Sequence, residues 1–565
     1  MDYQAIIETF FNKLGRFDFD QAKTYIDQKK EILQRLAPTF PNQAQFMTML
    51  TTFSHLAEVE KNYHDQPYSN HPQPQHSFLP TASFLRKPKS LKDMYNDILV
   101  ELQQMESTLA TSSTGNGDIK SQTSSPSVTA STRSQNMLKS QQEHRPSMEN
   151  ATSENLSTIS SSERDPSTLP QSPRTALKNS FFRVLSPISS ITPNQATQVH
   201  ITPSNLPTAN SGDPCLLSSG SGYEPPPNST TTTPVAPFGR NPREFTEELI
   251  SHFCRQLLNF IQARLDLIDV YDKLSEASSK QFTLVDGVAF RLSMLFRKHH
   301  KCFHHPLLAP IKEGVTIECE TLMTLIKATI DMQHWRFLPT LYSLQDVQSK
   351  LSYWAASTFN KEARRGRFKV SKTQTAPRLY EWLCRFKDYL ISKFTLYFHA
   401  TLSRNLPSSS FKSNCSKLTV DYYSRLSSFQ RKVDAIFITL LYDVSNEKDF
   451  RGVGYYFPNR DFQQPQGKNT LQPMVIIPAE ARPKLSNLQA EIFMIKTTNQ
   501  TAMIKDGHYQ FHDNIKKLTY SISQPDLNIF LVTVCEGQRP DREAAIRIFS
   551  QDFTSLLSFS NIFVN

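Results

Sequence analysis

The densest set of metal-ligand types in the 565-residue chain is the run RKHHKCFHHP, which holds His299, His300, Cys302, His304 and His305. His300 and His304 are four residues apart, a spacing that on a helix turns both imidazoles to one side, where they could share a zinc ion. Pro306 ends any helix in this stretch, and a histidine in a last helical turn is accounted for by the carbonyl end of the dipole. No second ligand pair at finger-like spacing occurs, so no metal and no other cofactor is expected. The basic run KEARRGRFKVSK (361–372) offers Arg364, Arg365, Arg367 and Lys369 as candidate anion contacts, for nucleic-acid phosphate or a phosphoinositide headgroup. Phe368 is its only ring, too few for a base-stacking platform, which favours a solvated loop and no nucleic-acid partner. GVGYYFP (452–458) has two glycines but opens no helix, so it does not cradle phosphate. It presents Tyr455, Tyr456 and Phe457, which with His304 and His305 are the candidate protein contacts. G-x-S-x-G, Walker A, H-E-x-x-H and G-x-G-x-x-G are all missing, and an enzyme is not expected.

The elements that hold these residues begin with the helix expected at 377–402. Its polar positions Glu381, Arg385, Asp388, Ser392, Thr395 and His399 step by four and three, which makes one narrow stripe on a surface otherwise large and apolar. Lys387 and Lys393 fall off the stripe and are expected to lay their stems on apolar surface with the ammonium in water. Such a helix must be covered on most sides, so it reads as the centre of a helical domain. Four helices precede it within residues 1–106. The first stops at Gly15 as a C′ residue, and the fourth starts at Ser90 with Asp93 as capping-box partner. Residues 107–240 are rich in Ser, Thr, Pro, Asn and Gln and bury too little to order; they are expected to be a disordered insert. Helices resume at Asn241–Pro242, giving a second helical part over 241–405.

After that the period changes. Strands are expected at 435–443, 474–478, 491–495, 517–523 and 527–536, with a last helix over Asp541–Phe559. Residues 406–565 therefore read as a small C-terminal α/β domain with a mostly antiparallel sheet, comparable by analogy with profilin-, longin- or roadblock-like modules. The fold class is α+β, an N-terminal all-α helical bundle followed by this domain. A net charge of +10 is spread rather than massed, and 15 glycines leave little material for phosphate cradles. Seven widely spaced cysteines without C-x-x-C fit buried thiols in a reducing compartment. No apolar run approaches the ~18 residues a membrane span needs, and MDYQAIIETFF lacks the pattern of a signal peptide.

Eight stretches occur together and in order: ETFFNKLG (8–15), HLAEVEKNYH (55–64), FHHPLLAPI (303–311), WRFLPTLYSL (335–344), KLSYW (350–354), KFTLYFH (393–399), SSFQRKVDA (427–435) and GVGYYFP (452–458). As a set they resemble the KICSTOR complex subunit 2 family. The resemblance implies a non-enzymatic subunit of a cytoplasmic assembly peripheral to the lysosomal membrane. Its implied partners are kaptin, an FG-GAP-repeat protein and a very large scaffold subunit, and indirectly the GATOR complex and the Rag GTPases. Recruiting GATOR would restrain TOR kinase signalling when amino acids or glucose are scarce. The family supplies no catalytic residues, and the 107–240 insert is longer than its usual link. Two alternatives remain: an anionic-lipid or nucleic-acid-binding adaptor using 361–372, or a direct regulator of a small GTPase, which would need an exposed Arg or Gln finger.

Overall fold

A computed structural model describes residues 3–35, 43–65, 89–114, 242–278, 285–358, 376–447, 450, 452 and 463–563. Among them, α1 (Tyr3–Leu14), α2 (Phe19–Arg35), α3 (Gln43–Asp65) and α4 (Leu91–Thr114) come first. Then follow α5 (Pro242–Ser278), α6 (Asp286–His299), α7 (Ala309–Gln333), α8 (Phe337–Thr358) and α9 (Arg378–Tyr397). Three shorter helices, α10 (His399–Asn405), α11 (Ser408–Cys415) and α12 (Tyr422–Val433), lead into the sheet. Its strands are β1 (Phe437–Asp443), β2 (Leu471–Ile477), β3 (His508–Asp513), β4 (Leu518–Asp526) and β5 (Ile529–Glu536). Helices α13 (Arg482–Thr498) and α14 (Gln500–Asp506) separate β2 from β3, and α15 (Pro540–Leu557) closes the chain before a short 3-10 turn. The class is α+β, as the sequence implies.

The sheet is antiparallel throughout, in the order β2-β1-β5-β4-β3. Both of its faces are covered. Ile438, Leu440 and Tyr442 of β1 and Ile529, Leu531 and Cys535 of β5 join the main core, which extends from Ile6 to Phe563. Phe437, Leu441, Phe530, Val532 and Val534 face a second core closed by Leu485, Ile492 and Ile495 of α13. Two-sided burial explains why FITLLY and IFLVTVC read as unbroken apolar runs rather than alternating ones.

Four expectations need correction. Residues 491–495 are not a strand: they belong to α13, whose buried Leu485, Ile492 and Ile495 follow a helical period, while Met494 between them is 62% exposed. A five-residue apolar window was too short to tell the two apart. The strand β3 was missed because an edge strand such as HYQFHD carries few apolar residues. Lys387 and Lys393 do not reach water. Lys387 donates to Gln348 Oε1 at 2.8 Å, and Lys393 pairs with Asp526 at 2.5 Å. The polar stripe of α9 is exposed only at Glu381 and Arg385; Ser392 and Thr395 are buried and return their hydroxyls to the Asp388 and Ile391 carbonyls. The capping box at Ser90 forms as expected, with Asp93 N–H on Ser90 Oγ and Ser90 N–H on Asp93 Oδ2, both at 3.2 Å.

Gly15 follows α1, but space rather than backbone conformation demands glycine there. A Cβ at Gly15 would lie 2.6 Å from Pro310 Cβ and 3.0 Å from the Pro310 carbonyl carbon. The left-handed residue of this turn is Phe17, at φ 60°, whose ring packs on His64 and Trp354. Gly15→Ala therefore forces α1 away from the start of α7. Chemical denaturation of the full chain should show a loss of about 1–3 kcal/mol; an unchanged midpoint would mean the two elements slide apart freely.

Candidate functional site

Of the residues singled out from sequence, Tyr455, Tyr456, Phe457, Arg364, Arg365, Arg367 and Lys369 lie outside the described residues. His304 and His305 are placed. Helix α6 ends at His299, so His300 and His304 do not share a helical face. His299 is buried, with Nε2 2.7 Å from Asp266 Oδ2. His305 is half-buried, and its Nδ1 accepts the Leu307 N–H at 3.2 Å, capping the 3-10 turn Pro306–Leu308. Its ring sits 5.2 Å from Phe253 and 5.9 Å from His252. Burial, followed by the neighbouring His252 and His304, lowers its pKa. His304 is exposed, and its backbone N–H donates to Gln256 Oε1 at 2.7 Å. This stretch therefore fastens α5 to α7, with the His304 ring left on the surface.

The solvent side of the helices carries apolar side chains at helical spacing. Phe290 and Met294, four apart on α6, are 69% and 50% exposed, and Tyr342 and Tyr353 on α8 are each 57% exposed. A phenylalanine and a methionine side by side on a solvent face are candidate partner contacts. The sequence held this signal in GVAFRLSMLF, where two apolar faces compete for the core. Val288, Leu292 and Leu295 win it, which leaves Phe290 and Met294 outside.

Beneath this surface lies a network that sequence reading did not find. Glu60, Tyr63 and His64 of α3, Tyr95 of α4, Arg264 and Tyr271 of α5 and Glu318 of α7 meet in the main core. Arg264 forks onto Glu60 with Nε–Oε1 at 3.0 Å and Nη2–Oε2 at 2.9 Å, and its Nη1 reaches Glu318 Oε2 at 2.6 Å. Tyr95 donates to Glu60 Oε1 at 2.7 Å, Tyr271 to Glu318 Oε1 at 2.9 Å, and Tyr63 to the same oxygen. The guanidinium carbon also stands 4.2 Å over the Tyr63 ring. Burial opposes the charge on Glu60, but Arg264 and hydrogen bonds from His64 and Tyr95 outweigh it and hold the carboxyl at about 2. Arg264, Glu60 and Glu318 are at most 3% exposed, so this set joins helices and offers no group to a substrate. The thiols are equally withdrawn: burial pushes Cys254 up to about 12, and Cys384 and Cys415 up to about 11.

Removing one member leaves the others charged and buried. Arg264→Met should cost about 3–5 kcal/mol in denaturation of the full chain, and adding Glu60→Leu and Glu318→Leu should recover most of it. The acid limb carries a second signature. Glu60 is depressed from 4.5 to about 2, so its contribution is complete above about pH 4.5 and lost as pH falls toward 2. Glu60→Gln should flatten stability across that interval; an unaltered acid limb would separate Glu60 from Arg264.

Comparison with known proteins bears on both parts of the chain. The family model described as "KICSTOR complex C12orf66 like" matches residues 2–129 and 228–565. The KICSTOR subunit 2 of Xenopus laevis is 31% identical over 323 residues, 56% of this chain and 72% of that protein. The KICSTOR subunit 2 of Danio rerio is 29% identical over 334 residues, 58% of this chain and 74% of that protein. With the helical region and the sheet both inside the matched segments, the chain belongs to the KICSTOR C12orf66-like family.

Proposed function

We propose that this chain is a non-enzymatic subunit of a KICSTOR-like scaffold. The family match carries this reading, since it spans the helices on either side of residues 130–227 as well as the sheet. In it the chain binds kaptin-like, FG-GAP-repeat and very large scaffold subunits. The assembly recruits the GATOR complex to the cytoplasmic face of the lysosome and restrains TOR kinase signalling in amino-acid or glucose deprivation. Among the described residues no helix is long and apolar enough to cross a membrane, so attachment in this reading runs through partners. Buried ion networks brace the helices, and the stripe Phe290–Met294 on α6 is the proposed contact. Tyr455, Tyr456, Phe457 and His304 remain further proposed contacts, and Arg364, Arg365, Arg367 and Lys369 proposed anion contacts.

Affinity purification of the tagged full chain from nutrient-starved cells tests this. Wild type should recover the three partner subunits. Phe290→Glu with Met294→Glu should lower their yield at least roughly tenfold, the size expected for truncating an interface centre, with the melting temperature unchanged. Failure of wild type to recover any of them would refute the subunit reading; full recovery by the double variant would refute α6 as the contact.

A further inference from the structure

A cavity of about 250 Å³ opens where the helical region meets the sheet, and nothing in the scaffold reading uses it. Its walls come from four elements. Helix α10 gives His399, Ser403 and Arg404, α12 gives Tyr423, β2 gives Met474 to Ile476, and the start of α13 gives Arg482. The placement follows from the fold. Helix α9 ends at Tyr397, the chain turns at Phe398 into α10, and α10 lies against β2, an edge strand paired only with β1.

Two features of the cavity bear on what it could hold. Arg404 and Arg482 both line it, and neither has a carboxylate or a hydrogen-bond partner among the described residues. Both guanidiniums are exposed at the rim of the cavity, unlike the buried and ion-paired Arg264, Lys393 and Lys496. A doubly charged anion in the cavity would meet both positive charges. Glu480 and Asp421, the acidic groups nearest Tyr423, do not form an ion pair with either arginine.

The second feature is His399. Its ring stacks on Tyr423 with centroids 3.6 Å apart and planes 3° from parallel, and it meets Phe411 at 5.1 Å. Burial lowers its pKa to about 4, so at neutral pH it adds no charge and offers one N–H donor and one acceptor. Neither nitrogen has a partner among the described residues. The Ser403 hydroxyl, which donates weakly to the Ala400 carbonyl at 3.3 Å, keeps its lone pairs free. The remaining wall is apolar, from Ala400, Met474, Val475, Ile476 and Ala479.

We propose that this cavity binds a small phosphate monoester, its dianionic phosphate held by Arg404 and Arg482 and its short carbon portion lying on the β2 wall. Guanidinium forks match phosphate oxygens in pairs, and the start of α13, a 17-residue helix, adds the positive end of its dipole. The cavity volume admits a headgroup-sized ester. Because its walls belong to both the helical region and the sheet, an occupant stabilises their junction.

The test uses the intact chain with glycerol 3-phosphate and inorganic phosphate as probes, by calorimetry and thermal shift. Both should raise the melting temperature of wild type. Arg404→Ala with Arg482→Ala, two exposed positions whose loss leaves the core intact, should weaken binding roughly tenfold or more. Arg431→Ala, an exposed arginine on α12 away from the cavity, should bind as wild type. A parallel arm sediments phosphatidylcholine vesicles with and without phosphatidylinositol 4-phosphate. Retention on the phosphorylated vesicles, lost in the paired variant and competed by glycerol 3-phosphate, assigns the phosphate to a lipid headgroup. Binding of the soluble ester without such retention assigns it to a free metabolite. No binding of either probe at millimolar concentration, or equal binding by wild type and the paired variant, overturns the proposal.

Discussion

Arg264 sits where four helices meet, and its charge has no route to water. An isolated buried guanidinium costs several kcal/mol after relaxation, and each buried carboxylate a similar amount. The arrangement is tolerable only when Glu60, Glu318 and the three tyrosine hydroxyls are all in place. Glu60, Tyr63 and Tyr95 come from before residue 115; Arg264, Tyr271 and Glu318 come from after residue 241. Arg264, Tyr271 and Glu318 pair among themselves, but Glu60 finds its guanidinium only across the two sets. The helices on the two sides of the long connection therefore share one core, tied across it by the Arg264–Glu60 pair.

A second polar joint does the same for the sheet. Lys393 of α9 pairs with Asp526 at the end of β4, Tyr397 donates to the same carboxylate at 2.6 Å, and Tyr389 donates to the Leu557 carbonyl at the end of α15 at 2.6 Å. Apolar contacts flank it: Trp382 against Phe563 and Tyr271, and Phe429 of α12 stacked on Phe549 of α15 at 3.7 Å. The central helix thus touches the last strands and the last helix directly. The phosphate-sized cavity lies at the end of this joint, where α9 gives way to α10, so occupancy there acts on the contact between the helices and the sheet.

What could be read in the sequence was whatever burial imprints on a period. The single apolar faces of α1 and α3 and the near-continuous apolar surface of α9 were legible, as were the central strands β1 and β5. The polar joints were not, because ion pairs between residues far apart in sequence leave no periodic trace. Lys393 and Asp526 are each unremarkable alone. Glu60 with His64, and Glu318 inside VTIECETLMTLI, were the available hints: charged groups on faces that should have been apolar. Several stretches that carry the family resemblance coincide with these joints. HLAEVEKNYH holds Glu60, Tyr63 and His64; KFTLYFH holds Lys393 and Tyr397; ETFFNKLG and FHHPLLAPI meet at Gly15 and Pro310. The stretches that carry the resemblance are, at these places, interior bracing.

The position of the long connection follows from the same packing. Lys92 of α4 pairs with Asp269 and Asp272 of α5, while Met105 and Glu106 lie beside Cys254 and Arg255. As residue numbers rise on one helix they fall on the other, so α4 and α5 run antiparallel as a helical hairpin. Thr114 and Pro242 accordingly lie at the same end of the pair. The family match, which passes over residues 130–227 and continues on both sides, takes in both helices of this hairpin and the residues of its buried charge network.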